Sequence, residues 1–362
     1  MHPHDIAHRR MHAQRLAGNP LGAPRDVVGW LGCVQSQDYG PAKWSVGERT
    51  RGATDTALDE AFAAGAILRT HVLRPTWHFV LPADIRWIQG LTAARVHAQN
   101  AYYYRQTGLE DAGTRDRARR LITDALRGGS HLTRKQLESV LLAGGIAVKG
   151  LGTAYVLMDA ELDCVVVSGP LKGKQQTYAL FDERVPDAPV LSRGEALGEL
   201  AARYFTSRGP ATAKDMRFWS SLTLADIQRG IEIAGPRLRR EEIDGLTFWS
   251  APGEAPPEVP SPTVHLLQGL DEYFVGYGES RGYCDHARTR PSLVDRAIYN
   301  GALILDSQLA GHWKRTVTKR AVTFTVALSI LFDDAQTAAL QATADAYGAF
   351  LGLSAVVEAA PL

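Results

Sequence analysis

The amino-acid sequence predicts an α+β protein that consists of three helix-rich units followed by a β-rich domain. A pattern of helices and then two strand-like runs occurs three times along the chain. A segment with five prolines in twelve residues, 251–262, follows the third repeat, and its composition is typical of a linker. Strand-like runs dominate the remainder. We therefore expect units over residues 1–108, 109–190 and 191–256, and a C-terminal domain over residues 257–362.

The middle unit has the clearest pattern. A first helix is predicted from Thr114 to the Gly-Gly pair 128–129, because apolar residues recur at helical spacing and glycine ends a helix. A second helix is predicted with Thr133 as its N-cap, and a third over 151–162. The strand-like runs "CVVVSG" and "QQTYALFDE" then flank the turn "PLKGK". This order is typical of a winged helix, whose third helix usually faces DNA and whose hairpin is the wing.

The third unit repeats the order of the middle unit. Helices are predicted over 193–209, 212–221 and 223–235. The run "LRREEIDGLTFWS" predicts two short strands joined at Asp244-Gly245, a dipeptide typical of tight hairpin turns.

The N-terminal segment fits the same pattern with one element more. Helices are predicted over "HDIAHRRMHAQRLAG", "PRDVVGWLGCVQSQ" and "PAKWSVGERTRG", with an additional helix over "TDTALDEAFAAG". The run from Ile67 to Leu81, bent at Arg74-Pro75, predicts the wing, and linking helices follow it. Gln35 and Gln37 then lie between the second and third helices, in the turn of a helix-turn-helix.

The C-terminal segment is rich in β-branched and aromatic runs. They predict strands from Val264 to about Leu328, which we interpret as a small barrel. The run "DDAQTAALQATADAYGAFLG" has helical spacing and predicts a terminal helix.

Charge is distributed unevenly along the chain, although the net charge over 362 residues is only +1. Residues 1–130 carry 17 Lys and Arg against 12 Asp and Glu, together with seven of the eleven histidines. This basic third is a candidate surface for a polyanion such as DNA. An uneven but purely solvated surface fits the charge equally well.

Several classes of protein are disfavoured. The sequence contains no run of 18 apolar residues, so it predicts no membrane-spanning helix. The N-terminus lacks the apolar segment of a signal peptide. Three widely spaced cysteines, Cys33, Cys164 and Cys284, are typical of a reducing cytoplasm. No C-x-x-C pair occurs, and the Cys and His of Tyr283–His286 lack partners at ligand spacing. We expect neither a metal nor a cofactor.

Gln35 and Gln37 are the candidate catalytic residues. Side chains at i and i+2 of an extended chain point to one side, so the two amides could hold one small object such as a water. From the residues alone, the favoured alternative is that they satisfy free carbonyls at a helix end. Asp38 beside them could act as a base, although a local cap or turn bond is the more ordinary role.

The candidate DNA-binding residues are cationic, aromatic or polar side chains on the predicted third helix, on two wings and in the C-terminal domain. They are Lys43, Trp44, Arg49, Arg74, Thr76, His78, Lys172, Lys174, Trp313, Lys314 and Arg315. Each could instead be an ordinary solvated or packed side chain. Asp271 and Glu272 are adjacent and would point to opposite faces of a strand, which favours structural hydrogen bonding over a catalytic pair.

Four stretches resemble the AlkZ/YcaQ family of bacterial DNA glycosylases. They are the Gln-x-Gln after "LGCV", the run "RTHVLRPTWHFV", "LDEYFVGYGESR" and "LAGHWKR". The resemblance covers nearly the whole chain, and it implies three tandem winged-helix units and a β-rich C-terminal domain around a C-shaped DNA-binding channel. A Gln-x-Gln motif marks the catalytic site of the crosslink-processing branch, whereas the YcaQ branch carries Gln-x-Asp. Gln35 and Gln37 match that motif, and Ser36 stands where the family usually has an apolar residue.

The resemblance implies excision of alkylated bases, chiefly N7-alkylated purines, and in some members of interstrand crosslinks made by natural-product toxins. An N7-alkylguanine is cationic, so its glycosidic bond is already weak and the base leaves neutral without a general acid. The enzyme has to place a water against C1′, and an amide can orient water without exchanging a proton. We expect a monomeric, monofunctional glycosylase that acts on double-stranded DNA and leaves an abasic site.

Two non-catalytic functions stay open at this point. The chain could be a winged-helix transcription regulator that binds an operator, or a resistance protein that sequesters a toxin or a lesion. Regulators of this type usually dimerise on a palindromic site. Three units in one chain favour a monomer that wraps DNA instead.

Overall fold

The computed structural model describes residues 3–254, 256–257, 259–285 and 299–361. Its helices are α1 (Pro3–Ala13), α2 (Pro24–Leu31), α3 (Tyr39–Gly47), α4 (Asp55–Ala63), α5 (Pro82–Gln106), α6 (Ala112–Leu126), α7 (Arg134–Ala143), α8 (Leu151–Leu162), α9 (Phe181–Arg184), α10 (Arg193–Arg208), α11 (Ala213–Ser220), α12 (Leu224–Ala234), α13 (Glu272–Val275) and α14 (Asp334–Leu351). His286, the histidine of the predicted Cys/His pair, lies outside the described residues.

The strands of the described residues form four sheets. They are β1 (Cys33–Gln35), β2 (Leu68–His71), β3 (Trp77–Val80), β4 (Leu132–Thr133), β5 (Val166–Ser168), β6 (Thr177–Leu180), β7 (Arg239–Ile243), β8 (Leu246–Ser250), β9 (Val264–Gln268), β10 (Gly301–Leu305), β11 (Gln308–Val317), β12 (Ala321–Leu328) and β13 (Ser354–Pro361). The sheet orders are β1-β3-β2, β4-β6-β5, β7-β8 and β13-β12-β11-β10-β9.

Local signals in the sequence fix several element ends as predicted. Thr133 caps α7 through a capping box with Gln136, so both side chains satisfy free backbone N–H groups. Pro24 occupies the first turn of α2, where its missing N–H costs nothing. Asp244 and Gly245 adopt φ values of 51° and 76° between β7 and β8, as a tight hairpin turn requires.

The N-terminal and middle segments have the same element order, which corrects one prediction. In the middle segment, α6, β4, α7 and α8 precede the hairpin β5–β6. In the N-terminal segment, α2, β1, α3 and α4 precede the hairpin β2–β3, so α4 takes the place of the third helix. Gln35 therefore ends a strand, and Gln37 lies between that strand and α3, rather than in a helix-turn-helix turn. Gly32 ends α2 at φ 75°, and the buried pair Cys33-Val34 then joins the sheet.

The third segment follows its prediction, with α10, α11 and α12 before the hairpin β7–β8. Where linking helices were expected after the first hairpin, α5 is one continuous helix of 25 residues. The described residues of the proline-rich segment contain no helix or strand.

The C-terminal domain is an open sheet, so the predicted barrel is wrong. Its edge strands β9 and β13 do not pair with each other among the described residues. The strand β13 was not predicted. It lies parallel to β12 and is reached through α14, which packs on the sheet with Leu340, Ala344 and Tyr347 buried. A helix that covers one face removes the need to close the sheet into a barrel.

The apolar cores cross the predicted unit boundaries. One cluster contains Cys33 and Leu68 together with Val167 and Trp219. Another joins residues of α3 and β3 to the C-terminal sheet and α14. The position of Gln35 is therefore set by contacts from several distant parts of the chain. None of the helices in the described part combines the length and hydropathy needed to cross a bilayer.

Candidate active site

Gln35 is held through both its backbone and its side chain. It is 6% exposed, and its backbone N–H donates to Glu272 Oε1 at 2.8 Å. Its side-chain Oε1 accepts from Arg74 Nη2 at 2.6 Å. Because a guanidinium can only donate, this contact fixes which amide atom is the oxygen, and the NH₂ group of Gln35 points away from Arg74.

Gln37 is exposed, and its amide is oriented in the same sense. Its Oε1 accepts from the backbone N–H of Trp77 at 3.3 Å, and its backbone oxygen accepts from Arg69 Nη2 at 3.1 Å. Neither glutamine side chain bonds a helix carbonyl among the described residues, so the predicted alternative role at a helix end is not observed. Both amides have their oxygens engaged and present their NH₂ groups as donors.

A buried ion pair fixes the strand that carries Gln35. Glu272 and Arg208 are fully buried, with 2.6 Å between Oε2 and Nη2. Trp219 Nε1 donates to the same Glu272 oxygen at 3.1 Å. Arg208 also donates to the backbone oxygens of Leu31 at 2.8 Å and Cys33 at 3.0 Å. The predicted structural role of Glu272 is confirmed, whereas Arg208 was not identified from the sequence because nothing local distinguishes it from a surface arginine.

The β2–β3 hairpin places Arg74, Thr76 and His78 beside Gln35. His78 lies directly opposite Gln35 in the pairing of β1 with β3, and it is fully buried. Its Nδ1 lies 2.9 Å from the backbone oxygen of Thr76. Burial, and then the charge of Arg74, lower the pKa of His78 well below its usual 6.5, so the ring is neutral at pH 7. Three buried atoms in this segment, Arg74 Nε, Thr76 Oγ1 and His78 Nε2, have no hydrogen-bond partner among the described residues.

Phe218 on α11 is a second residue that the sequence did not reveal. It is 43% exposed, and its ring centroid lies 5.5 Å from the guanidinium carbon of Arg74 and 5.0 Å from that of Arg281. An exposed aromatic ring between two cations is suited to contact a nucleobase.

A cleft of about 670 Å³ lies between the β2–β3 hairpin and α7. Its cationic lining consists of Arg69, Arg134 and Lys135. Lys172 and Lys174 are exposed at the turn between β5 and β6, where a polyanion can reach them. Arg69, which lines the cleft, donates to the backbone oxygen of Gln37, so the cleft adjoins the glutamine pair.

Two cations that were predicted to contact DNA are instead buried in ion pairs. Lys43 is 4% exposed, and its Nζ lies 2.8 Å from carboxylate oxygens of both Asp55 and Asp59. Arg49 is fully buried and makes a bidentate contact with Asp271 at 2.8 and 3.0 Å. Moving Arg49 to a phosphate would leave the fully buried Asp271 carboxylate without its cation. Moving Lys43 would break its contacts with two partly exposed carboxylates and take a buried side chain out of its position. The prediction of DNA contact is therefore wrong for both, and the predicted structural role of Asp271 is confirmed.

Two tryptophans with the same prediction also lie in the core. Trp44 is 4% exposed and donates through Nε1 to the Leu266 oxygen at 2.9 Å. Trp313 is 3% exposed and donates to the Leu267 oxygen at 2.9 Å. Neither ring can stack on a base from these positions. Trp44 joins α3 to the C-terminal sheet, whereas Trp313 packs within the C-terminal domain against Phe324 and Tyr347.

Lys314, Arg315 and Asp38, which the sequence also singled out, differ in their exposure and contacts. Lys314 is exposed, whereas Arg315 bonds the Tyr347 hydroxyl and covers that ring. Asp38 is exposed at the N-cap position of α3, but its side chain makes no capping hydrogen bond, so the expected cap is not observed.

The described residues bring one group of potential metal ligands together, namely His97, Asp159 and Asp163, with ligand atoms within 4.8 Å of one another. Arg119 Nη1 lies 2.6 Å from Asp159 Oδ2 and also bonds Asp163, and Arg115 Nε lies 3.3 Å from Asp159 Oδ1. These arginines neutralise the carboxylates and would repel a cation. We interpret the group as an ion-pair network that joins α5, α6 and α8.

Ser36 is fully buried between the glutamines. Its N–H donates to the Trp77 oxygen at 2.7 Å, and its oxygen accepts from Arg69 Nε and Nη2 at 3.1 and 2.9 Å. Its side-chain Oγ has no hydrogen-bond partner among the described residues. The backbone of Ser36 therefore helps to fix both amides, while its hydroxyl contributes an unsatisfied polar group.

Replacing Ser36 by alanine is expected to raise the free energy of unfolding by about 1 kcal/mol, because it removes a buried hydroxyl that has no partner. Urea unfolding measures this change, and Ser139→Ala, an exposed position on α7, serves as the control, with a change of only about 0.5 kcal/mol or less expected from helix propensity. The two amides keep their partners, so their orientation should stay unchanged. A loss of stability in Ser36→Ala would show that the hydroxyl has a partner in solution.

Comparison with known protein families establishes the class of this protein. Residues 28–350 match the family model described as DNA glycosylase AlkZ-like, and the chain belongs to that family of DNA glycosylases. The resemblance inferred from the sequence is thereby confirmed.

The sequence and the structure each match a glycosylase of Streptomyces sahachiroi over most of the chain. An interstrand DNA cross-link repair glycosylase of Streptomyces sahachiroi is 23% identical over 323 residues, which cover 84% of this chain and 85% of that protein. The solved structure of Streptomyces sahachiroi DNA glycosylase AlkZ matches with a TM-score of 0.82 and 20% identity, over 99% of each chain. This second likeness establishes the mixed α+β fold.

Proposed function

We propose that this chain hydrolyses the N-glycosidic bond of cationic N-alkylpurines, in particular N7-alkylguanine, in double-stranded DNA and leaves an abasic site. One observation carries the proposal. Gln35 and Gln37 lie two residues apart in a glycosylase of the AlkZ-like family, with both amide oxygens engaged and both NH₂ groups presented as donors.

The chemistry of a cationic lesion suits two amides. The purine departs as a neutral base, so no side chain has to protonate it. The remaining task is to hold a water against C1′ and to stabilise the developing positive charge on the sugar. Amide NH₂ groups can donate to the water oxygen and to acceptor atoms of the nucleotide. Placing such polar groups in advance typically contributes about 10²–10³ in rate.

The surroundings favour a monofunctional enzyme, in which water and not an amine attacks C1′. The lysine nearest in sequence to the Gln-x-Gln motif is Lys43, and two carboxylates hold it in the interior. An amine held in this way is not free to approach C1′ and form a Schiff base. The abasic sugar would then be released without strand cleavage.

The DNA surface that we propose includes Lys172, Lys174 and Lys314, which are exposed. The shared element order of the segments 1–108 and 109–190 supports their assignment as winged-helix units, with 191–256 as a third unit and 257–362 as the C-terminal domain. We expect these parts to form a channel around one duplex, with the protein acting as a monomer on nucleoid DNA in the cytoplasm.

Bulky adducts and interstrand crosslinks are included among the proposed substrates. The relative from Streptomyces sahachiroi is named for cross-link repair. The exposure of Gln37, and the open cleft beside it, allow a large group to remain outside the protein while the sugar approaches the amides.

The proposal is tested with duplex DNA that carries a single N7-methylguanine or a bulky N7-guanine adduct. After incubation with the protein, alkali converts abasic sites into strand breaks, which are counted on a denaturing gel. We expect alkali-dependent breaks at the lesion and none in undamaged DNA. Tight binding without breaks on any such substrate would favour the alternative, a winged-helix transcription regulator, and would sink the enzymatic proposal.

A further inference from the structure

The starting observation is that both glutamine oxygens already accept one hydrogen bond, while their NH₂ groups remain as donors. Arg74 occupies the oxygen of Gln35, and the Trp77 N–H occupies the oxygen of Gln37. A water that attacks C1′ has two hydrogens, and it is directed when one of them donates to a fixed acceptor. Each amide oxygen keeps one further lone pair but already has a partner, so a buried acceptor without any partner is the stronger candidate for this role.

The hairpin opposite Gln35 supplies an acceptor. The Nδ1 atom of His78 lies 2.9 Å from a backbone oxygen, and because that oxygen can only accept, Nδ1 carries the proton. The lone pair is therefore on Nε2, which is buried and has no partner among the described residues. Burial keeps the pKa of His78 well below 6.5, so the lone pair is available at pH 7.

The neighbouring groups complete a polar site. Gln35 pairs with His78 across β1 and β3, and Thr76, just before β3, lies against His78 through its backbone oxygen. The Cα atoms of such paired residues are about 5 Å apart. Thr76 Oγ1 and Arg74 Nε are also buried without partners. Three unsatisfied buried polar groups in one place are typical of a site that holds an ordered water, which usually makes about three hydrogen bonds.

We propose that Arg74, Thr76 and His78 hold the attacking water beside Gln35, with His78 Nε2 as the acceptor of one of its hydrogens. This inference rests on the proposed glycosylase function. In the reaction, the water oxygen forms a bond to C1′ while the C1′–N9 bond breaks. The electron pair of that bond cancels the positive charge of the purine, which leaves neutral. One proton of the water passes to His78 Nε2 and then to solvent.

Two substitutions of His78 separate an acceptor role from a packing role. Leucine fills the volume without an acceptor, whereas the Oε1 of glutamine can replace Nε2. With N7-methylguanine duplex under single-turnover conditions, we expect His78→Leu to lower the excision rate at least about 10²-fold and His78→Gln to stay within about tenfold of the wild-type rate. Both should bind a duplex with a stable abasic-site analogue as the wild type does. His8→Leu on α1, whose ring contacts the Pro257 oxygen, is the matched control and should not change the rate.

Several outcomes would overturn the inference. One is a wild-type rate in His78→Leu, and another is an equal loss in His78→Leu and His78→Gln together with lost DNA binding. If His78→Leu does not fold, Thr76→Val decides, since it removes a second partner of the water at constant volume, and an unchanged rate would contradict the proposal. If the wild type excises nothing, the proposed function fails by itself. The water site is then judged from a high-resolution crystal structure, in which an ordered water on His78 Nε2 supports it and a dry cavity contradicts it.

Discussion

Replacing either Gln35 or Gln37 by alanine is expected to lower the single-turnover excision rate of N7-methylguanine about 10²–10³-fold, with little change in DNA affinity. Each substitution removes one donor that is already aimed before DNA arrives. Gln35→Ala should have the larger effect, because Gln35 is held by Arg74 at 2.6 Å, whereas the contact of Gln37 with Trp77 is 3.3 Å long. Rates are measured with enzyme in excess, and affinity is measured by fluorescence anisotropy on an abasic-analogue duplex.

The control for both variants is Gln228→Ala, since Gln228 is exposed on α12 and a loss of its amide should not alter the rate. Circular dichroism melting checks that each variant is folded. Gln35→Ala leaves the backbone bond to Glu272 in place, so the strand should keep its position. Wild-type rates in both alanine variants would mean that the glutamines are structural and that the catalytic groups lie elsewhere.

The sequence predicted best those elements whose determinants are local. The bounds of α8, 151–162, agree with the structure, since its apolar spacing is continuous. The hairpin at Asp244-Gly245 is confirmed for the same reason, because the turn type is set by those two residues. By contrast, β1 has three residues and depends on pairing with β3, more than forty residues later, so no periodicity in its own sequence could reveal it.

The candidate site shows the same division between local and distant determinants. The motif Gln35–Gln37 was found from adjacent residues, and so was the hairpin with His78. The cations were harder to assign, because lysine and arginine are almost always exposed unless they are paired. Arg49 lies 222 positions from its partner Asp271, and Arg208 lies 64 positions from Glu272. A pairing over such distances leaves no pattern in a single sequence, so Arg49 was predicted to contact DNA.

Arg49→Ala is therefore expected to change stability and not DNA binding. The substitution leaves Asp271 fully buried without its cation and also removes the donor to the Gln14 oxygen at 2.9 Å. Loss of one partner of a buried pair typically costs about 3–5 kcal/mol. Urea unfolding at pH 7 measures the change, and Arg51→Ala, which removes an exposed arginine two residues further on, should cost little. Weaker DNA binding at unchanged stability would contradict the structure and restore the prediction from the sequence.

The pH dependence of the stability loss in Arg49→Ala gives an independent check of the Arg49–Asp271 ion pair. Burial alone would raise the pKa of Asp271, but the charge and hydrogen bonds of Arg49 outweigh burial, and the pKa is lowered from its ordinary 3.8. In the wild type the pair thus contributes its full stability above about pH 4 and loses it as the pH falls through the lowered pKa. In Arg49→Ala the charge and hydrogen bonds of Arg49 are gone, while burial and the weaker hydrogen bonds from Ser45 and the Tyr273 N–H remain. The Asp271 carboxyl then takes up a proton at a higher pH than in the wild type, and the cost of burying its charge disappears. The stability difference between Arg49→Ala and the wild type should therefore shrink as the pH is lowered from 7 towards 4, whereas the difference for Arg51→Ala should stay constant.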